Sequence, residues 1–449
     1  MLFGARIEGN GHNMINSLRR QIANYILNLP LLIWIILGFL ITFILFFPRL
    51  IFLHPSMIMQ FNRNIPVAIM SINTDFLGIT AFSYAWLHTG VVPPIIYPPF
   101  TLVFFAPFTF VSYETGFKIL IGIILICYLA TTLIFPRWIN QNKQTSAFEI
   151  LILVTGLFSY GLQFELEQGQ WNLMAFSFSV AAIYIFHRQP KYRWLAYLLF
   201  SLSVQLKLFP AIFVFTLIED FSDWKKNIKR IIGLGVFNIL AFFILGPNPV
   251  LNTVEALNIL SQKTSQNYTS RFNLSIPSFS SFFLSRGILP RKRVILWLIA
   301  NSSLLQLLFF ALFGFCFLII LFQAYKKNVT GFNPYIFLAC FIGACIIPSI
   351  SLDYKLSMLP GCIAISIPEI LLLKEGKNQP LDILLAFVFS LAYSSMLYSY
   401  TYKPKIVGNN FPALMLILII CTILSCIKSN KPTPSSTDQS AVKSKRCSE

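Results

Sequence analysis

Residues 294–322, VILWLIANSSLLQLLFFALFGFCFLIILF, run for 29 positions without a charged side chain, between Arg291-Lys292-Arg293 and Lys326-Lys327. About 20 apolar residues are enough for a helix to cross a bilayer, and a charge-free run of this length bounded by cations reads as a transmembrane span. The pattern recurs on both sides. Comparable runs cover 29–47, 116–135, 147–162, 172–187, 231–246, 335–349, 357–373, 381–399 and 411–427. Two further apolar segments are irregular: 97–111 opens with Tyr97-Pro98-Pro99-Phe100, and 194–218 carries Lys207 and Pro210 near its middle. Of the 449 residues 56% are hydrophobic and 11% charged, against roughly 25% charged in an ordinary soluble domain. A soluble core cannot absorb that much apolar surface. The expected fold is an all-α polytopic membrane protein of about 10–13 transmembrane helices. Residues 1–28 read as a cytoplasmic segment, 29–427 as one integral membrane domain, and 428–449 as a disordered cytoplasmic tail. Arg19 and Arg20 ahead of the first run resemble a secretory signal, but that run is long and lacks a small-residue cleavage site, so it is expected to stay as a span.

The net charge of +18 comes from 34 Lys and Arg against 16 Asp and Glu. In a soluble protein that excess would suggest nucleic acid; here the cations flank apolar runs and fix orientation instead. Most cluster at the N-terminus, at 137–143, 188–193, 225–230, 326–327 and 374–377, and in the tail, which places those segments and both termini in the cytoplasm. The threading then requires an odd number of crossings between the outer loop 48–96 and the inner loop 136–146. Segment 116–135 supplies one, so 97–111 is expected to dip in and return. Segment 194–218 has basic loops at both ends and is expected to form a bent hairpin with Lys207 and Pro210 near its apex. Residues 76–88 align Phe76, Ile79, Phe82 and Trp86 along a helix expected to lie in the interface. The eight cysteines form no CxxC pair and the four histidines have no metal-ligand spacing, so neither a disulfide framework nor a metal site is expected.

Ionisable groups held against a bilayer are costly and therefore informative. Asp75, in Ser71-Ile72-Asn73-Thr74-Asp75-Phe76, reads either as a cap for the helix that follows or as a general base at the water–lipid boundary. Gly169-Gln170-Trp171-Asn172 follows Glu165 and Glu167 and reads as a polar turn with an aromatic anchor, or as amide donors for sugar hydroxyls. Lys207 either snorkels or pairs with a carboxylate, or it is held in a polar cavity to meet a lipid-linked phosphate. Asp353-Tyr354-Lys355 reads as a surface ion pair or as an anion-binding group at a cavity mouth.

In this order the pieces resemble glycosyltransferase family 87, polyprenol-dependent enzymes of the GT-C superfamily. The resemblance rests on an Asp in the first outer loop, Tyr-Pro-Pro-Phe at 97–100, Gly-Gln-x-Asn at 169–172 and Lys-x-x-Pro at 207–210. Asn-x-Ser-Ile-Pro at 273–277 and Ile-Ser-x-Asp at 350–353 complete it, so that it covers roughly residues 70–360. It implies a GT-C-like bundle with an outer-loop interfacial helix and re-entrant segments. It also implies a polyprenyl-phosphate monosaccharide donor, a lipid or glycan acceptor, inverting transfer on the exocytoplasmic face of the plasma (inner) membrane, and no cofactor or metal. Asp75 would be the base; Lys207, Lys355 and Arg271 would meet the donor phosphate. Tyr97, Glu167, Gln170, Asn172, Asp353 and Tyr354 would line the substrate site. One departure stands out: many members carry Asp-His where this chain has Asp353-Tyr354. Competing readings are a polysaccharide polymerase or ligase using Arg271, Arg286, Arg291 and Arg293 of the long outer loop, a lipid or sugar transporter, and a structural membrane subunit. The lack of an internal repeat weighs against a transporter.

Overall fold

The computed structural model of the chain describes residues 74–140, 147–157, 159–266, 273–285, 302–372, 380–394 and 410–427. The expected span 29–47, the segments 1–28 and 428–449, the first residues of 294–322, and Arg271, Arg286, Arg291 and Arg293 lie outside them. The described chain is helical, and its β pairing is limited to two isolated antiparallel bridges, Asp220 with Thr330 and Asn273 with Leu352.

Helix α1 is Thr74–Thr89 and α2 is Phe100–Phe105. Helix α3, Tyr113–Leu129, continues through a π-helical turn at Ala130–Ile134 into α4, Phe135–Asn140. Helices α5, Ala147–Leu157, and α6, Tyr160–Gln168, replace the single run expected at 147–162. The break follows from Ser159, whose hydroxyl accepts the Leu162 N–H and starts a new helix. Then come α7 (Asn172–Arg188), α8 (Arg193–Leu206), α9 (Trp224–Phe242), α10 (Pro247–Gln266) and α11 (Ile276–Ser285). The chain continues through α12 (Ser302–Lys326), α13 (Pro334–Ile346), α14 (Leu359–Leu372), α15 (Pro380–Ser394) and α16 (Phe411–Ile427).

Three described helices, Tyr113–Ile139, Trp224–Leu245 and Ser303–Lys326, are long and apolar enough to cross a bilayer, while Pro334–Ile346 and Phe411–Ile427 are apolar but shorter. Among the described residues these three are the helices that meet both criteria. Helix α13 shows why short apolar helices occur: all its residues are buried, so other helices, not lipid, set its length. Around it Phe176, Phe213 and Phe337 form one packed group, with ring centroids 5.6–6.2 Å apart. The outward faces are apolar as well. Ile232, Phe237, Ile239 and Leu240 of α9, and Leu307, Phe315, Leu318 and Phe322 of α12, are largely exposed. Contiguous apolar stripes of this kind are stable against lipid, not water.

Segment 194–218 is a hairpin. Helix α8 stops at Leu206, Lys207 is extended (φ −150°, ψ 141°), and a 3₁₀ run, Phe209–Thr216, follows. Pro210, with no N–H to donate, suits the start of that run. Its two ends meet, Arg193 Nη2 lying 2.5 Å from Glu219 Oε1, and the returning arm is tied to α7, where His187 Nε2 donates to the Thr216 carbonyl at 2.8 Å. Helix α8 alone is about 20 Å long, so Lys207 stands far from the closed end. Close packing of α8 on α7 is carried by small residues, with Ser179 Oγ and Ser203 Oγ 2.8 Å apart.

Segment 97–111 leaves α1 and comes back to it. Helix α2 and the 3₁₀ turn Ala106–Phe110 are too short to cross. Phe105 and Phe108 both pack on Phe76, at 6.2 and 5.5 Å, and Tyr113 at the start of α3 packs on the same ring at 5.5 Å. In α1 itself the buried stripe is Phe76, Ile79, Thr80 and Ser83, whereas Phe82 is 37% exposed. Of the expected stripe, Phe76 and Ile79 therefore pack inward while Phe82 stays on the surface. Burial of two hydroxyls is cheap here because Thr80 and Ser83 bond the carbonyls of Phe76 and Ile79.

Candidate active site

The Gly169–Asn172 turn sets the geometry. Helix α6 ends on Gly169 in the left-handed region (φ 63°, ψ 39°), and its N–H returns to the carbonyls of Glu165 and Leu166. A Cβ on Gly169 would sit 2.7 Å from the Phe76 Cβ. Only glycine therefore lets this turn press against α1, and that approach sets Gln170 beside Asp75. The Gln170 N–H is fixed to the Glu165 carbonyl at 2.9 Å.

Glu165 anchors the turn from below. Its Oε1 accepts the Leu173 N–H at 2.7 Å, at the amino end of α7, where a carboxylate meets unpaired amides and the positive end of the helix dipole. Its Oε2 accepts the Ser357 hydroxyl. One carboxylate thus joins the Gln170 turn to the 3₁₀ segment Asp353–Met358. Glu165 is fully buried, and burial pushes its carboxyl up from 4.5 to about 7, against the pull of Ser357 and the Leu173 N–H.

Four predicted residues meet directly. Gln170 Nε2 donates to Asp75 Oδ2 and lies 3.5 Å from the Tyr97 hydroxyl, which also hydrogen-bonds Asp75. Lys207 Nζ donates to Gln170 Oε1 at 2.6 Å. The same ammonium lies 4.3 Å from the ring centroids of both Tyr97 and Trp171, a cation–π pair in a buried setting. Trp171 is held by Phe105 at 4.6 Å and by its own Nε1–H to the Leu206 carbonyl at 3.1 Å. That bond also takes up a carbonyl left free where α8 ends. Asp75 is half-buried in the first turn of α1, and its carboxylate is taken by Gln170. Burial raises the Asp75 carboxyl; the Lys207 charge and the hydrogen bonds from Gln170 and Tyr97 oppose that rise.

Other expected residues stand further out. Tyr354 is close enough to Asp75 and Tyr97 to interact electrostatically. Lys355 is buried with its ammonium on the Ala344 carbonyl at 3.1 Å and over the Phe209 ring at 5.1 Å. Asn172 opens α7, fully buried, and neither polar atom of its side-chain amide has a partner among the described residues. The side chains of Glu167 and Asp353, and all of Arg271, lie outside the described residues. The 273–277 element is structural: Asn273 Oδ1 accepts the N–H groups of Ser275 and Ser351, and its Nδ2 donates to the Ser349 carbonyl. It braces the segment leading to Tyr354.

Sequence reasoning passed over Glu165 as a site residue. Its only local signal was a carboxylate eight positions ahead of Leu173, and Ser357 is 192 positions away. Among the described residues no group of three or more His, Cys, Asp or Glu is placed to hold a metal ion. The cluster offers a reachable carboxylate, amide and aromatic groups around it, and two buried cations behind it. That equipment suits proton abstraction from a hydroxyl beside a leaving anion. The family model described as glycosyltransferase family 87 matches residues 96–347, a stretch holding Tyr97, Gln170, Asn172, Lys207 and the 273–277 element, with Asp75 and Tyr354 outside it. No curated protein and no solved structure matches the chain.

Proposed function

The chain belongs to glycosyltransferase family 87, a family of membrane glycosyltransferases, and from that premise we propose that it moves a monosaccharide from a polyprenyl phosphate to an acceptor hydroxyl with Asp75 as general base. Asp75 takes the proton as the acceptor oxygen attacks the anomeric carbon. The bond from that carbon to the phosphate oxygen breaks, configuration inverts, and the polyprenyl phosphate leaves with the electron pair. Because phosphate is a good leaving group, one carboxylate suffices. Positive charge for the departing phosphate comes from Lys207 and Lys355, with Arg271 as a further candidate. Gln170, Asn172, Tyr97 and Tyr354 surround the sugar, and Glu167 and Asp353 are candidates to do so. Transfer takes place on the exocytoplasmic face of the plasma membrane, with both termini in the cytoplasm. The acceptor is a lipid or a glycan.

The observation that carries this reading is the convergence of Asp75, Tyr97, Gln170 and Lys207 from four separate parts of the chain. Reconstitution of the protein with polyprenyl-phosphate-linked mannose, glucose or arabinose and an acceptor lipid pool tests it. Asp75→Asn should lower transfer by about 10²–10⁴. Undiminished transfer by Asp75→Asn would sink the assignment of the base.

A further inference from the structure

Lys207, Gln170 and Asp75 are joined in a line whose direction is set by chemistry. A lysine ammonium has donors and no acceptor, so the group facing Lys207 Nζ at 2.6 Å must be the carbonyl end of the Gln170 amide. The NH₂ end then points the other way, and it is Nε2 that reaches Asp75 Oδ2. A carboxylate oxygen accepts that bond more strongly than the carbonyl oxygen of a neutral acid does, so the contact favours the ionised form. We propose that Lys207 and Gln170 act as a one-way relay in which the ammonium fixes the orientation of the amide, and the amide in turn holds Asp75 as a carboxylate. Lys207 is in this respect a positioning residue for the base, in addition to the charge it offers a leaving phosphate.

The surroundings of each member support a fixed direction. The Gln170 backbone cannot swing away, since its N–H is held by the Glu165 carbonyl and Gly169 presses the turn onto Phe76. Lys207 cannot leave either: it is buried between the Tyr97 and Trp171 rings, and its own N–H is held by the Ser203 carbonyl at 3.1 Å. The ionisable groups facing Asp75 are Lys207 from the apex of the hairpin, Tyr97 from the loop before α2, and Tyr354 from the 3₁₀ segment. Glu165 and Lys355 act at one remove, through Lys207. Burial would otherwise favour the protonated acid, which could not accept a proton from an acceptor. The relay therefore opposes the effect of burial on the base.

This inference deepens the proposed function and rests on it only for the consequence, not for the measurement. Infrared difference titration of the full-length protein in nanodiscs reads the carboxylic C=O band of protonated Asp75 directly, assigned by its absence in Asp75→Asn, with no sugar donor present. Gln170→Met should raise the pH at which that band disappears by about one unit or more, although the Lys207 charge is untouched. Lys207→Met should raise it too, and the double variant should move it little beyond the larger single shift, because the two residues act in series. If Gln170→Met leaves the band where it is, or if Lys207→Met shifts it equally with and without Gln170, the charge acts through space and the relay is wrong. Loss of transfer in Asp75→Asn is scored separately, so a failed relay and a failed base assignment are distinguishable.

Discussion

Replacing Glu165 by glutamine should stabilise the protein at pH 8 and leave it nearly unchanged at pH 5. Glu165 is a fully buried carboxyl whose proton is held to about pH 7, where an unfolded glutamate releases it near 4.5. Between those values the folded chain holds a proton that the unfolded chain has lost, so stability falls as pH rises through this window. A separation of about two and a half units at 1.36 kcal/mol each is about 3 kcal/mol. Glutamine mimics the protonated acid: its carbonyl can still accept the Leu173 N–H, and its amide can donate to the Ser357 hydroxyl in place of accepting from it. At pH 5, where Glu165 is itself protonated, wild type and variant should differ by less than about 1 kcal/mol. At pH 8 the variant should be more stable by up to ~3 kcal/mol. Denaturant unfolding of the purified protein in detergent at both pH values gives the difference, and other titrating groups cancel because both proteins contain them. A variant equally destabilised at the two pH values would mean that the native carboxylate is stabilised by its partners as much as burial penalises it, and that Glu165 is ionised in the folded chain.

Gly169→Ala should cost at least ~2 kcal/mol, from a left-handed backbone unsuited to alanine and a Cβ only 2.7 Å from that of Phe76; thermal unfolding reads the loss, and an unchanged midpoint would show that the turn can move away. Asn273→Ala strands two buried N–H groups, of Ser275 and Ser351, and should cost about 2–4 kcal/mol, seen as lower yield and a lower unfolding midpoint. The same burial predicts that a folded chain carries no glycan at Asn273 even in a host that glycosylates the compartment, which peptide mass mapping checks. Single cysteines at Tyr192 and Asp220, on either side of the ends joined by Arg193 and Glu219, should both react with a membrane-impermeant maleimide from one face; labelling from opposite faces would mean that the segment crosses.

Helical character, membrane residence and several element limits were legible in the sequence, because charge-free runs and flanking cations are local signals. Helix α16 begins and ends where its apolar run does, at Phe411 and Ile427. The hairpin at Lys207 was legible too, since a lysine and a proline inside an apolar run conflict with a plain span. Less visible was which apolar runs make long helices. Helix α13 reads like a span by hydropathy, yet its length is set by the helices that enclose it. Glu167 and Glu165 were equally good candidates by sequence; that Glu165 reaches both Leu173 and Ser357 depends on how α6, α7 and the 353–358 segment pack.

Sequence alone determined the class of the chain and the residue types its chemistry would need, since solvation and charge cost act on each segment by itself. Tertiary structure decided their grouping. It set Asp75 against Gln170 through a glycine that only a close approach to Phe76 explains, and it oriented the Gln170 amide by giving its carbonyl to Lys207. Hydrogen bonds between residues 95 and 37 positions apart have no local signature; they exist because helices pack, and packing brings distant donors and acceptors into register.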